Sequence, residues 1–288
     1  MGVTDLISLL RRTVPEVLRK TPFACSGAAW IDAPLVVMST YKKAQADGTL
    51  PIVSQSLAKI ASCARGLGVS EVNIVFDGPT RKAKLDTVAT RAVTSAAFLA
   101  KCPQTYSSLL SKDLVLSQTI ITGTRGFKTD STCTTEACIP EFPSYSTILK
   151  NAKFIAPTFG NVFTARHDAE EHIALMMRGE DIAITVDSDA LAFGCTRIVQ
   201  HLGKPEETWI QLAEVLEALK LTQDEFRTLC VFLGNDFNPR IRGAGPVACL
   251  AGIRAGMSIE SFASKHGGSA EWIEKANDAK SIFSLKYA

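Results

Sequence analysis

Apolar residues recur at helical spacing near the start of the chain. Leu6, Leu9, Leu10, Val14, Val17 and Leu18 form one stripe, which predicts a helix within 3–20. Ala29–Met38, a short run rich in β-branched residues, predicts a buried strand. Residues 52–66 predict a helix ended by Gly66 and Gly68, and Val72–Phe76 a second buried strand. After residue 152 the pattern predicts a helix over Asp168–Met177 and strands over Ile182–Val186 and Arg197–His201. Helices over Leu212–Leu219 and Thr222–Leu233 come next, then a Gly-x-Gly-Pro turn leading into a helix within 241–256. Helices alternating with short apolar strands point to an α/β fold on a mostly parallel sheet.

The middle of the chain reads differently. Residues 80–101 are basic and helix-permissive, and 117–147 are rich in Ser, Thr, Gly and Pro with weak periodicity. The expectation is an insertion over 81–151, partly flexible, standing off a core made of 1–80 and 152–236. Residues 237–288 would complete the single domain. The insertion gathers Arg81, Lys82, Lys84, Arg91, Lys101, Lys112, Arg125 and Lys128 against few acids. A solvated surface loop accounts for such a run as well as a function does.

Composition narrows the class. Of 288 residues 46% are hydrophobic and 21% charged, which supplies a real core and excludes a disordered or fibrous chain. The net charge, 31 − 29 = +2, says nothing of partners until the charges are placed. No apolar stretch approaches the roughly 18 residues of a membrane span. The first arginines follow the apolar residues and no small-residue cleavage site is seen, so no signal peptide is expected. The expected location is intracellular, nuclear or cytoplasmic. Eight cysteines are scattered without a CxxC, and Cys133 and Cys138 lack a second pair. Free thiols in a reducing compartment are the better reading than zinc.

The informative feature is the placing of acids. Asp32 lies inside WIDAPLVV, Asp77 follows VNIVF, Asp187 and Asp189 follow IAITV, Asp236 follows LCVFLG, and Asp168 and Glu170 open a helix. In an open parallel sheet the carboxyl ends of the strands meet at one crevice, so these acids would converge. Two carboxylates 4 Å apart repel by about 4 kcal/mol at an effective dielectric near 20. Hard divalent cations, Mg²⁺ or Mn²⁺, are the natural compensation. A pair of them suits hydrolysis of a phosphodiester. Singly, each acid has a plainer role: Asp168 a helix cap with Glu170 on the helix dipole, Asp77 and Asp236 turn residues. Asp32 is the hardest to explain that way.

The ordered motifs resemble the flap endonuclease (XPG-type) family of structure-specific 5′ nucleases. They are MGVTDL, WIDAP, VFDGP, DAEEHIA, TVDSDALAFG and FLGNDFNPRIRGAGPVA, spread from the N-terminus to about residue 256. The resemblance implies a PIN-like, Rossmann-like sheet flanked by helices. It also implies a helical arch at the insertion and a helix–two-turn–helix near 241–256. Asp32, Asp77, Asp168 and Glu170 match acids around a first metal, and Asp187, Asp189 and Asp236 those around a second; Asp168 stands where the family has glutamate. Lys84 and Arg91, 7 and 14 residues after Asp77, match a lysine and an arginine that approach the scissile phosphate, joining Asp32 and Asp77 in the catalytic set. Implied nucleic-acid contacts are Gly2, Arg81, Lys82, Arg242, Gly243 and Gly245. Two Mg²⁺ or Mn²⁺ ions are implied, with K⁺ at the helix–two-turn–helix.

There are departures. The family's stacking tyrosine is Met38 here, with Tyr41 nearby but out of phase, and only Pro79 follows VFDG. The chain stops soon after the helix–two-turn–helix, and SIFSLKYA carries no sliding-clamp-binding motif. Compact members of this kind are expected among DNA-virus proteins, in which case the location is the host cell. The leading expectation is a monomeric nuclease on branched or flapped DNA, with no membrane partner. A viral host-shutoff endoribonuclease of the same fold, a junction-binding scaffold without catalysis and, more distantly, a haloacid-dehalogenase-type phosphatase using Asp187 and Asp189 remain alternatives.

Overall fold

The computed structural model describes residues 2–23, 25–47, 49, 51–85, 87 and 144–285. Six strands form one sheet in the order β3-β2-β1-β4-β5-β6. They are β1 Ala28–Asp32, β2 Glu71–Phe76, β3 Asn161–Thr164, β4 Ile182–Ile184, β5 Arg197–Gln200 and β6 Thr208–Gln211. All pair in parallel except β5 with β6, which run antiparallel at one edge. The α/β class read from the sequence is therefore the observed one.

The strands are apolar on both faces because both are covered. Ala28 and Trp30 of β1 face a layer holding α1 (Leu6–Thr13) and the helices of the C-terminal half. Ala29 and Ile31 face the other layer, with α2 (Ala33–Asp47), α3 (Val53–Gly66) and α4 (Tyr145–Ile155). The remaining helices are α5 Ala169–Met176, α6 Asp189–Phe193, α7 Leu212–Leu219, α8 Gln223–Leu233, α9 Pro246–Arg254, α10 Ile259–His266 and α11 Ala270–Phe283.

Two expectations need correcting. The apolar run Ala29–Met38 is not one strand: β1 ends at Asp32 and α2 begins at Ala33. Pro34 suits a first helical turn, and Val36 and Val37 bury themselves from a helix as readily as from a strand. Asp32 thus ends the strand rather than sitting in its middle. The core also resumes earlier than residue 152. Ser144 caps α4 by accepting from the Thr147 amide at 3.2 Å, and Ile148 and Ala152 are buried. The rest of the segment expected as an arch, with Arg91, Lys101, Lys112, Arg125, Lys128, Cys133 and Cys138, lies outside the described residues.

The edge strands β3 and β6 and helices α10 and α11 had no strong signature in the sequence. Of the cysteines described, Cys25, Cys195, Cys230 and Cys249 are buried free thiols and Cys63 is half-buried. No helix among the described residues is long and apolar enough to cross a membrane.

Candidate functional site

Strand order reverses at β1, which pairs with β2 on one side and β4 on the other. A crevice is expected at the carboxyl ends of these strands. Asp32 closes β1, Asp77 follows β2, and Asp187 lies three residues past β4. Asp168 precedes α5 and Glu170 lies in its first turn; Asp189 opens α6; Asp236 follows α8. Asp32, Asp168, Glu170, Asp187, Asp189 and Asp236 are all buried.

Their mutual influence shows that they share one place. Burial raises the Asp32 carboxyl, and Asp77 and Asp187 raise it further against a lowering hydrogen bond from Thr185. Glu170 is raised well above its usual range by burial, then by Asp32, Asp187 and Asp77. Asp189 is raised likewise by burial, Asp187 and Asp236. Asp187 is raised too, chiefly by burial, and Asp77, although exposed at the rim, is raised by partial desolvation and by Asp168 and Asp187. Remote acids therefore press on each other through a poorly solvated pocket.

Some donors partly relieve the strain. Thr185 Oγ1 donates to Asp32 Oδ2 at 2.8 Å, and the Ala169 amide, at the start of α5, donates to Asp77 Oδ1 at 2.9 Å. The Asp189 amide donates to Asp187 Oδ1 at 3.0 Å. Asp189 Oδ1 is buried and has no hydrogen-bond partner. Asp181, near the amino end of β1, is the contrast. It is buried too, yet it accepts from the Ala28 amide, the Arg178 amide and Trp30 Nε1. Asp181 is explained by the fold; the bare Asp189 Oδ1 is not.

Lys84 is a cation set among them. Its Nζ lies 2.6 Å from Asp168 Oδ1 and 4.9 Å from the centre of the Phe237 ring. Burial opposes its charge, but Asp168, Glu170 and Asp189 outweigh burial and hold the ammonium above its usual range. Arg81, which the resemblance places among the nucleic-acid contacts, pairs with Asp168 at 3.2 Å and Glu171 at 2.5 Å. Lys82 is exposed beside it.

Gly2 enters the site from the N-terminus. With φ +86° it lies so close to Asp187 that a Cβ would strike that carboxylate. An open groove of about 660 Å³ runs from Gly2, Ser188 and Asp236 past Arg11 to His201 and Thr208. Arg242 and Gly243 are exposed on the turn before α9; Gly243 has φ +89°, and Gly245 forms the helix N-cap with open space beside it. This turn is separate from the cluster of acids in sequence and is joined to it through the Asp236 segment.

Three participants escaped the sequence reading. Thr185, two residues before Asp187, and Phe237, directly after Asp236, could have been suspected from those positions. Tyr145 could not. It sits near Asp77 and Asp32, which together with burial raise its phenol, and its ring meets Tyr41 edge-on at 5.8 Å. Tyr41, out of phase with the expected stacking position, reaches the site only through this contact with Tyr145.

The donor set suits hard divalent cations in its chemistry: oxygens only, crowded and under-compensated. As placed, no three acidic, histidine or cysteine side chains among the described residues form a ready group around one point. An ion would have to draw them together.

Comparison with known proteins agrees with the motifs. Residues 161–236 match the family model of the XPG I-region. Flap endonuclease 1 of Leishmania braziliensis is 40% identical over 108 residues, spanning 35% of this chain and 27% of that protein. Flap endonuclease 1 of Caenorhabditis briggsae is 36% identical over 107 residues, 35% of this chain and 28% of that one. The matched parts are thus little more than a quarter of those relatives. The solved flap endonuclease-1 from Methanococcus jannaschii covers 90% of this chain with 78% of its own, at TM-score 0.59 and 19% identity. The catalytic core of Rad2, solved in complex with DNA substrate, covers 98% of this chain with 80% of its own, at TM-score 0.60 and 17% identity. At such identities the structural likeness establishes the fold. The sequence likeness is confined to the XPG I-region at 161–236 and to about a third of the chain, where it is similar to flap endonucleases and lies among the motifs quoted above.

Proposed function

We propose that this protein is a divalent-metal-dependent nuclease that hydrolyses phosphodiester bonds in branched or flapped DNA. The observation that carries the reading is the mutual electrostatic influence of seven carboxylates, from Asp32 to Asp236, at the carboxyl edge of the sheet, with Lys84 acting on Asp77, Asp168, Glu170, Asp187 and Asp189. The relatives' names and the DNA-bound Rad2 core support the choice of substrate.

Asp32, Asp77, Glu170, Asp187, Asp189 and Asp236 would hold two Mg²⁺ or Mn²⁺ ions. Bound there, such ions polarise a phosphoryl oxygen and lower the pKa of water. Lys84 brings a buried positive charge to the same pocket and stabilises negative charge developing on the phosphate. Thr185 keeps one oxygen of Asp32 fixed and favours its ionised form. The exposed turn at Gly243 and the start of α9 suit a backbone phosphate without reading bases, with Gly245 as the helix N-cap and K⁺ at this turn as part of the same proposal. Arg91 would add a second cation, from outside the described residues. The protein would act as a monomer inside the cell.

The test is a product map on 5′-flap DNA, nicked duplex and capped RNA with Mg²⁺ or Mn²⁺. Flap DNA is cut, and Asp187→Ala or Asp77→Ala slows cleavage by at least about a hundredfold, since metal assistance supplies several kcal/mol. Flap binding by both variants stays close to wild type. Normal turnover by either variant overturns the site, and cleavage confined to RNA overturns the substrate.

A further inference from the structure

We propose that Asp168 is a positioning residue that docks Lys84 and Arg81, and not a ligand of the divalent ions. The inference rests on the nuclease reading above and refines its site.

Both oxygens of the Asp168 carboxylate are taken by cations. Oδ1 accepts from Lys84 Nζ at 2.6 Å and Oδ2 from Arg81 Nε at 3.2 Å. The side chains are shielded, at 9% exposure for Asp168, 11% for Arg81 and 16% for Lys84. Charge-assisted bonds in such a setting are strong and hard to give up. Asp189 is the opposite case: one of its buried oxygens has no partner. A dication on Asp168 would have to share oxygens already bonded to an ammonium and a guanidinium, against the repulsion of both, whereas one on Asp189 Oδ1 meets an unbonded atom.

The docking involves more than one residue. Arg81 also pairs with Glu171, in the first turn of α5. Thr87 Oγ1 donates to the backbone oxygen of Asp236 at 2.8 Å. Residues 81 and 87 are therefore fastened to two different parts of the site, before α5 and after α8. Lys84 lies between these fastenings, with the Phe237 ring beside it. The start of the basic segment is held on the site by Asp168, with Glu171 and Asp236 assisting. The aspartate, shorter than a glutamate by one methylene, ends at this pair of cations.

The experiment separates ligand from anchor by measuring Mn²⁺ affinity calorimetrically on the full chain, without DNA. Asp168→Asn keeps Mn²⁺ affinity within about threefold of wild type, while Asp187→Asn loses about 10- to 100-fold, the range typical of disturbed metal sites. In single-turnover cleavage of flap DNA, Asp168→Asn and Lys84→Met are slowed alike. The double variant is no slower than either, because the two act as one unit. Asp168→Glu, which keeps the charge, serves if the Asn variant does not fold. It retains wild-type Mn²⁺ affinity and cleaves more slowly.

Loss of Mn²⁺ affinity in Asp168→Asn equal to that in Asp187→Asn overturns the proposal. A tenfold gain in Asp168→Glu, or additive slowing in the double variant, does the same. Unchanged Mn²⁺ affinity in Asp187→Asn would instead sink the metal reading itself.

Discussion

Thr185 Oγ1 donates a 2.8 Å hydrogen bond to Asp32 Oδ2, linking the ends of two neighbouring strands inside the site. Its oxygen also accepts from the Asp187 amide at 3.0 Å, so one hydroxyl orients the Asp32 carboxylate and fixes the turn leading to Asp187. The bond lowers an Asp32 pKa that burial and Asp77 have raised.

Thr185→Val keeps the shape and removes both bonds. We expect the Asp32 carboxyl to rise further. The acid limb of the pH–rate profile at subsaturating Mg²⁺ then moves to higher pH, with cleavage down about 10- to 100-fold, as for lost support of a metal ligand. A profile that overlays wild type would show that Thr185 has no part in the site.

Stability of the metal-free protein should depend on pH in an unusual sense. Asp32, Asp77, Glu170, Asp187 and Asp189 bind protons more tightly in the folded chain than in the open one. Where the native state holds more protons, stability falls as pH rises. For Asp32 the interval runs from 3.8 to about 8. Calorimetry in a chelator is expected to give a higher melting temperature near about pH 5 than near about pH 8 from these groups. Millimolar Mg²⁺ raises the melting temperature at the higher pH, by binding the native state alone. A melting temperature that Mg²⁺ leaves unmoved there contradicts a clustered site.

Gly2→Ala tests the close approach of the N-terminal segment. At φ +86° a side chain is strained, and its Cβ would meet the Asp187 carboxylate. The variant is expected to lose about 1–3 kcal/mol on chemical denaturation, the usual cost of such backbone strain. Its cleavage falls as Asp187 is pushed aside. Wild-type stability and rate together would place the glycine outside the site.

Arg242 tests the turn before α9. It is exposed and faces no described partner that would hold it back. Arg242→Ala should weaken flap binding for every sequence alike and reduce the slope of log Kd against log salt by about 1, as for one phosphate contact. An unchanged slope removes Arg242 from the interface.

Much of this protein was legible along the chain. A carboxylate directly after a buried apolar run marks a strand end, and Asp77 was found that way; Asp187 was found by the same signal, although β4 ends at Ile184, two residues before the expected Val186. The class of fold followed from alternating helices and short apolar runs, whose local signal does not depend on distant partners. The segment Ala29–Met38 shows where that signal runs out. Val36 and Val37 are apolar in either conformation, and only packing of α2 against the sheet ends the strand at Asp32.

Tertiary structure alone decided the rest, because charges and hydrogen bonds act through space rather than along the sequence. Asp32 and Thr185 are 153 residues apart, and Lys84 and Asp168 are 84 apart. No spacing rule announces that Arg81 is consumed by Asp168 and Glu171, or that Tyr145 comes to lie beside Asp77. The sequence supplied the charged groups and the strands that carry them. The order of strands in the sheet determined which charges meet, and burial determined that their meeting is costly.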